Sequence, residues 1–368
     1  MKYLAQKHIL QLHPYLPGKP ISEVQRELGL SEVIKLASNE NPCGPSPRAI
    51  QAIQKAIFDL HRYPDGSGFY LKQALAAKLG VSPDQIILGN GTNEILELVV
   101  RTFLAPGQEA ISGRPAFIIY SLLVQAADGK NILVPLKEHT HDLRSMAKAI
   151  TPKTKLIFIA NPNNPTGTMV GAEEMSWFLQ QVPKSAICVI DEAYIEYVDD
   201  DAAFPDSIAY LRAHPDQPVL IVRTFSKIYG LAGLRIGYGI GSSELISLMN
   251  RVRQPFNVNS LAQVAAEAAL EDDEHLRRSK EVNRAGYQYL CREFDRLKVS
   301  YIPSVANFIL VDVGQDAKPF SDRMLAEGVI VRTVKEYGLP NAVRITIGLE
   351  EENRKLIQAM EKVLTSCS

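Results

Sequence analysis

The sequence predicts an α/β protein, with a large domain on a mostly parallel sheet covered by helices and a smaller α+β domain behind it. Three observations lead there. Short runs that are apolar on both faces recur between residues 85 and 222 and alternate with helical stretches, the pattern of parallel strands buried beneath crossover helices. After about Pro255 the alternation gives way to a long polar helical region, three further strand candidates and a terminal helix. The chain has 368 residues, more than one hydrophobic core usually spans.

In chain order, the first set of strands is expected at Gln85–Leu88, Ile132–Pro135, Leu156–Ala160, Ala186–Ile190 and Val219–Val222. Helices at Glu94–Phe103 and Glu173–Gln181 fall between them. Ala262 to Leu297 reads as a helical region, and its charge run "EDDEHLRRSKEVNR" as a solvated helix face. Strands are expected at Asn307–Val311, Val329–Val331 and Ala342–Ile347, then a helix from Glu350. This divides the chain into an N-terminal arm (1–36) folding back on the small domain, a large domain (37–255) and the small domain (256–368).

Forty basic residues against forty-one acidic ones leave a formal charge of −1. That balance disfavours an extended nucleic-acid surface and still permits a local pocket for a small anion. The opening "MKYLAQKHILQLHPYLPGKP" has no continuous apolar core, being broken by His13, Pro14 and Pro17, so no secretory signal is read. No apolar run approaches bilayer-spanning length. Cys43, Cys188, Cys291 and Cys367 show neither paired metal spacing nor a disulfide framework, as expected of reduced thiols in a cytoplasmic protein that holds no metal.

Ligands of open α/β sheets collect at the carboxyl ends of the strands, which makes the residues following each strand the candidates. In "QIILGNGTNE" a strand and a Gly-rich turn lead into a helix, so Gly91, Thr92 and Asn93 can offer N–H groups to an anion or serve as an ordinary cap. In "KLIFIANPNNPTGT" consecutive asparagines follow the strand, where they can hold a ligand hydroxyl or simply form a turn. In "AICVIDEAYIEY", Asp191 ends an apolar strand, where a bare carboxylate is costly unless it meets a cation. In "VLIVRTFSKIYGLAGLRIGY", Ser226 and Lys227 follow four apolar residues and precede a Gly-punctuated segment with Arg235. An amine, a carboxylate, hydroxyl and amide donors and an anion cradle together suit pyridoxal phosphate.

The ordered set "NPNNPTGT", "DEAY" and "TFSKIYGLAGLRIGY" resembles the fold-type I pyridoxal-phosphate-dependent aminotransferases over nearly the whole chain. The resemblance implies a seven-stranded sheet in the large domain and a homodimer. It implies that Lys227 carries the cofactor as a Schiff base and shuttles the proton, that Asp191 pairs with the pyridine nitrogen, and that Asn164 and Tyr194 contact the ring oxygen. Ser226, Arg235, Gly91, Thr92 and Asn93 would hold the phosphate, Phe117 would stack on the ring, and Tyr63 would cross to the partner's phosphate. Arg344, in "NAVRITIG", would grip a substrate carboxylate through its planar fork.

Within that family, "PYLPGKP", "VIKLASNENPCGPSP", "RYPDGSG" and "GVIVRTVKEYGLPNAVRITIG" are most similar to the histidinol-phosphate aminotransferases. This implies amino transfer between L-histidinol phosphate and 2-oxoglutarate, giving imidazole-acetol phosphate and L-glutamate, in histidine biosynthesis. Tyr15 and Arg332, or Arg323 under a different spacing, would meet the substrate phosphate. An aromatic-amino-acid aminotransferase and a phosphothreonine decarboxylase are the alternatives of similar sequence. A non-catalytic ligand-sensing module is more remote, because Lys227, Asp191 and Arg344 are all present. "GNGTNE" lacks the spaced glycines of a dinucleotide-binding dehydrogenase.

Overall fold

The computed structural model describes residues 4–14 and 18–365. Its thirteen strands are β1 Ile34–Lys35, β2 Ile86–Gly89, β3 Glu109–Arg114, β4 Lys130–Pro135, β5 Thr154–Ala160, β6 Ile187–Asp191, β7 Val219–Thr224, β8 Gly237–Ile240, β9 Ser300–Ile302, β10 Phe308–Asp312, β11 Val329–Ile330, β12 Arg332–Val334 and β13 Leu339–Thr346. Seven of them form one sheet in the order β2-β8-β7-β6-β5-β3-β4. All neighbours in it run parallel except β8, which is antiparallel to both β2 and β7.

Strand side chains alternate between faces, and here each face has its own core. Ile157, Ile159, Cys188, Ile190 and Ile221 belong to one cluster, while Leu156, Phe158, Val189, Leu220 and Val222 belong to the other. Apolar runs without a polar alternate are therefore what these strands require. Parallel pairing also brings strand ends level, with Ala160 opposite Asp191 and Asp191 opposite Val222. The residues just after β5, β6 and β7 thus share one edge.

Two strands of this sheet lie outside those expected from sequence. The β3 run EAISGR is short and begins with Glu109, a buried carboxylate that accepts from Thr151 Oγ1 at 2.6 Å and lies 3.5 Å from Lys130 Nζ. The β8 run GYGI reads as a turn, yet its glycines meet a packing need. A Cβ on Gly237 would stand 2.8 Å from the backbone nitrogen of Thr92, and one on Gly239 3.0 Å from Ile87.

The helical region over 262–297 resolves into two helices, Ser260–Leu270 and Asp273–Leu297. Asp272 caps the second by accepting from the His275 N–H at 3.2 Å. The first buries Ala262, Ala265, Ala266 and Ala269 in the large domain's core beside helices Pro47–Ala56 and Phe69–Leu79. The second turns Leu290 and Phe294 into the small domain's core. Leu276, early in the second helix, still packs against the large domain's core, so the chain passes between cores along that helix, downstream of the expected boundary at residues 255 and 256.

The small domain carries an antiparallel sheet in the order β12-β13-β10-β9, backed by helix Glu350–Thr365. In the N-terminal arm, β1 adds in parallel to β11 with Ile34 opposite Val329. Upstream of it, His8 Nδ1 lies 3.5 Å from Asp128 Oδ1 of the large domain.

Gly237→Ala would push a methyl into the start of helix Thr92–Phe103. The expected cost is about 1–3 kcal/mol of stability, read as a lower denaturation midpoint at unchanged m-value. An unchanged midpoint would show that the helix start can move.

Candidate active site

A cavity of about 440 Å³ opens where β5, β6 and β7 end, closed on its other side by the small domain. Residues Ala37–Glu40 supply one wall, and Arg332, Tyr337 and Arg344 another. This is where an open parallel sheet collects ligands.

Asp191, the last residue of β6, is buried. Its Oδ2 accepts from the Tyr120 hydroxyl at 2.7 Å and its Oδ1 from the Ala193 N–H at 3.2 Å. Among the described residues no lysine or arginine forms an ion pair with it. Burial pushes its carboxyl up to about 6, against the lowering effect of the Tyr120 hydrogen bond, and Lys227 acts on it only weakly. A carboxylate so placed is electrostatically incomplete, and a cation arriving from the cavity would complete it.

Lys227 follows β7 and lines the same cavity. Its Nζ donates to the Ser38 carbonyl at 3.4 Å and stands 5.4 Å from the centre of the Tyr194 ring. It has no carboxylate partner among the described residues, so its amine is held by a neutral acceptor at the edge of hydrogen-bond range.

The anion cradle sits at the start of helix Thr92–Phe103. Gly91 has φ 76°, and a Cβ there would lie 2.5 Å from Arg235 Nη2, so only glycine admits the guanidinium over the helix N-terminus. Thr92, Asn93, Ser226 and Arg235 line the cavity together. Backbone N–H groups, the helix dipole and a guanidinium converge there.

Arg344 is buried on β13, only 7% exposed, which removes the reading of a surface arginine. Its Nη1 donates to Asn164 Oδ1 at 2.6 Å and its Nη2 to the Ala37 carbonyl at 2.9 Å, while its buried Nε has no partner among the described residues. Arg332 is its cross-strand neighbour on β12, and both line the cavity. Like charges directly opposite one another repel, so the pair favours an anion between or above them. Glu336 pairs with Arg332, whereas Arg344 has no carboxylate partner among the described residues.

Of the two candidate phosphate arginines, Arg332 reaches the cavity. Arg323 lies on helix Ala317–Ala326, with Nη2 3.5 Å from Gln315 Oε1, and does not line it. Phe117 lines the cavity and meets the Tyr120 ring edge-on at 5.6 Å. Tyr63 does not; it is 83% exposed and stacked on Phe256 at 4.8 Å. Tyr15 lies outside the described residues.

Three contributions were not anticipated from sequence. Tyr120, whose N–H bonds the Phe117 carbonyl at 3.2 Å where helix Ile119–Ala126 begins, is the donor to Asp191. Ala37 and Ser38 present carbonyls to Arg344 and Lys227, and Asn39 donates to the Tyr194 hydroxyl at 2.9 Å. The stretch "LASNENP" stands out in the sequence, but nothing local says that its partners lie 155 to 307 residues away.

Pyridoxal phosphate fits this arrangement on the chemistry of the donors. The unpaired buried carboxylate suits a protonated ring nitrogen, the Gly91–Arg235 cradle suits a phosphate, and Lys227, lining the same cavity, offers an amine held by the neutral Ser38 carbonyl.

Residues 31–360 match the family model described as aminotransferase class I and II. A histidinol-phosphate aminotransferase of Moorella thermoacetica is 52% identical over 356 residues, covering 97% of this chain and 92% of that protein. A histidinol-phosphate aminotransferase 2 of Pseudomonas aeruginosa is 49% identical over 363 residues, covering 98% of each. The crystal structure of histidinol-phosphate aminotransferase from Sinorhizobium meliloti in complex with pyridoxal-5'-phosphate has a TM-score of 0.91 and 29% identity, covering 99% of this chain and 98% of that one.

Because the Asp191 carboxyl is raised from 3.8 to about 6 on folding, the cofactor-free native state holds its proton more tightly than the unfolded chain. Relative to Asp191→Asn, the cofactor-free protein should therefore lose stability as pH rises from about 4 to about 6, by up to about 3 kcal/mol. Paired denaturation curves across that window measure the difference, and a flat one would mean that the carboxylate is already compensated.

Proposed function

This chain belongs to the class I and II aminotransferase family, and from that premise we propose that it transfers an amino group between L-histidinol phosphate and 2-oxoglutarate. The products are imidazole-acetol phosphate and L-glutamate, a step of L-histidine biosynthesis, with pyridoxal phosphate as cofactor. One observation carries the reading: Lys227, the incomplete carboxylate of Asp191 and the Arg235 cradle share one cavity with the opposed arginines Arg332 and Arg344. Relatives of this name at about half identity over nearly the full chain support it.

When bound, pyridoxal phosphate supplies an aldehyde that condenses with amines and a ring that withdraws electrons from the carbon about to lose its proton. Gly91, Thr92, Asn93, Ser226 and Arg235 hold its phosphate. Asp191 keeps the ring nitrogen protonated, and Tyr120 holds the Asp191 carboxylate in place. Asn164 and Tyr194 hydrogen-bond the ring oxygen, and Phe117 covers the ring. Lys227 Nζ would hold the cofactor as a Schiff base between turnovers and, once the substrate amine displaces it, would be the base that takes the proton from the substrate's α-carbon and the acid that gives it back.

The arginine pair answers the problem of two unlike substrates in one site. Arg344, oriented by Asn164 and the Ala37 carbonyl, takes the carboxylate of glutamate or 2-oxoglutarate. Arg332, with Tyr15 from the N-terminal arm, takes the phosphate of histidinol phosphate. Tyr63 serves the cavity of a second copy in a homodimer. Its exposed ring, stacked on Phe256, gives such an interface an aromatic contact. The same reading places the enzyme in the cytoplasm; no helix among the described residues is long and apolar enough to cross a membrane.

The deciding experiment follows the visible absorbance of the cofactor-loaded protein as L-histidinol phosphate is added. The band should be lost, then restored by 2-oxoglutarate with formation of glutamate. A band that ignores histidinol phosphate but responds to aromatic amino acids would move the activity to that sister reaction, and no band at all would end the enzyme reading. Lys227→Ala should fold and lose turnover by at least about 10³-fold. Retention of near wild-type rate would remove Lys227 from the mechanism.

Separate substitutions test the division of labour between the arginines. Arg332→Gln should raise KM for histidinol phosphate by about 10–100-fold while changing that for glutamate far less, and Arg344→Gln should weaken glutamate by a similar factor. Equal effects of Arg332→Gln on both substrates would overturn the division.

A further inference from the structure

The polar groups of Asn39 are all engaged, and the directions of those hydrogen bonds fix that of another. Asn39 is buried, 1% exposed, with a left-handed backbone at φ 55°. Its N–H donates to Thr346 Oγ1 at 2.9 Å, and its carbonyl accepts from Asn307 Nδ2 at 3.0 Å. Having accepted that N–H, the Thr346 hydroxyl points its own hydrogen at Asn39 Oδ1, 3.3 Å away. This orients the side-chain amide, oxygen toward Thr346 and nitrogen toward Tyr194, whose hydroxyl lies 2.9 Å from Nδ2.

An amide nitrogen has only hydrogens to give, so the Tyr194 oxygen must accept. The phenol hydrogen is then left for a different acceptor, and none lies within reach among the described residues. Tyr194 lines the cavity, so that hydrogen is available to whatever occupies it. We propose that Asn39 is a positioning residue that commits Tyr194 to act as a donor toward the ring oxygen of the bound cofactor. This rests on the reading that Tyr194 contacts that oxygen. Thr346 and Asn307, which hold Asn39, belong to the small domain, while Tyr194 belongs to the large one. The donor is therefore oriented by the domain across the cavity.

Asn39→Asp tests this with little change of shape, because aspartate tolerates the left-handed backbone as asparagine does. Its acceptor-only carboxylate would draw the Tyr194 hydrogen backward, away from the cavity. The readout is the pH midpoint at which the visible band of the cofactor-loaded protein changes. A donor to the ring oxygen stabilises its anionic form, so losing that donor raises the midpoint. Tyr194→Phe and Asn39→Asp should each raise it by about one pH unit or more. In the Tyr194→Phe background Asn39→Asp should add little, because the two act through one hydrogen bond.

Thr346→Val carries no new charge and frees the amide to turn, so it should move the midpoint the same way by less, and again only when Tyr194 is present. An Asn39→Asp shift that persists in full without the Tyr194 hydroxyl would be a through-space charge effect and would overturn the proposal. So would unmoved midpoints in both Asn39→Asp and Thr346→Val while Tyr194→Phe shifts. If Tyr194→Phe itself is silent, the cofactor contact assigned to Tyr194 fails, and this inference fails with it.

Discussion

The site depends first on the parallel register of β5, β6 and β7. Ala160 stands opposite Asp191 and Asp191 opposite Val222, so the segments that follow these strands begin at one level. Because side chains alternate, a slip of one residue would exchange the two cores and turn Asp191 to the other face. Burial on both faces makes such a slip expensive. The same apolar packing that stabilises the sheet therefore holds the Asp191 carboxylate buried at the edge of the cavity.

Around that sheet the site is assembled from charges that the protein leaves incomplete. Among the described residues Asp191 has hydrogen-bond donors but no paired cation, and Arg344 has neutral acceptors but no carboxylate. Elsewhere in the fold a buried charge is paired outright, as Arg223 Nε is with Glu192 Oε2 at 2.8 Å one residue beyond Asp191. Burying charge without its partner costs free energy, and the cavity is where ligand charge can return it.

The second domain contributes more than a lid. Its β12 and β13 bring Arg332 and Arg344 side by side, and its Thr346 and Asn307 hold residues Asn39 and its neighbours against the large domain. Ala37, Ser38 and Asn39 then touch Arg344, Lys227 and Tyr194 in succession. A three-residue stretch of the N-terminal chain links a buried guanidinium, an amine and a phenol of the cavity wall.

The sequence by itself determined the α/β class, the parallel strands and the residues at their ends, because those signals are local. A run apolar on both faces must be buried on both, and a carboxylate or lysine at its end must have a use. It could not reveal β8, since GYGI looks like a turn until helix Thr92–Phe103 packs close enough to exclude a Cβ at Gly237. Nor could it show that helix Ser260–Leu270 joins the large core, because alanines spaced for a buried face do not say whose core they enter. That Arg332 rather than Arg323 lines the cavity, that Tyr120 donates to Asp191 and that Asn39 bridges Tyr194 and Thr346 were decided by tertiary structure alone. Each depends on which groups meet in space, from 71 residues apart for Tyr120 and Asp191 to 307 for Asn39 and Thr346, and partners so far apart in the chain leave no local pattern.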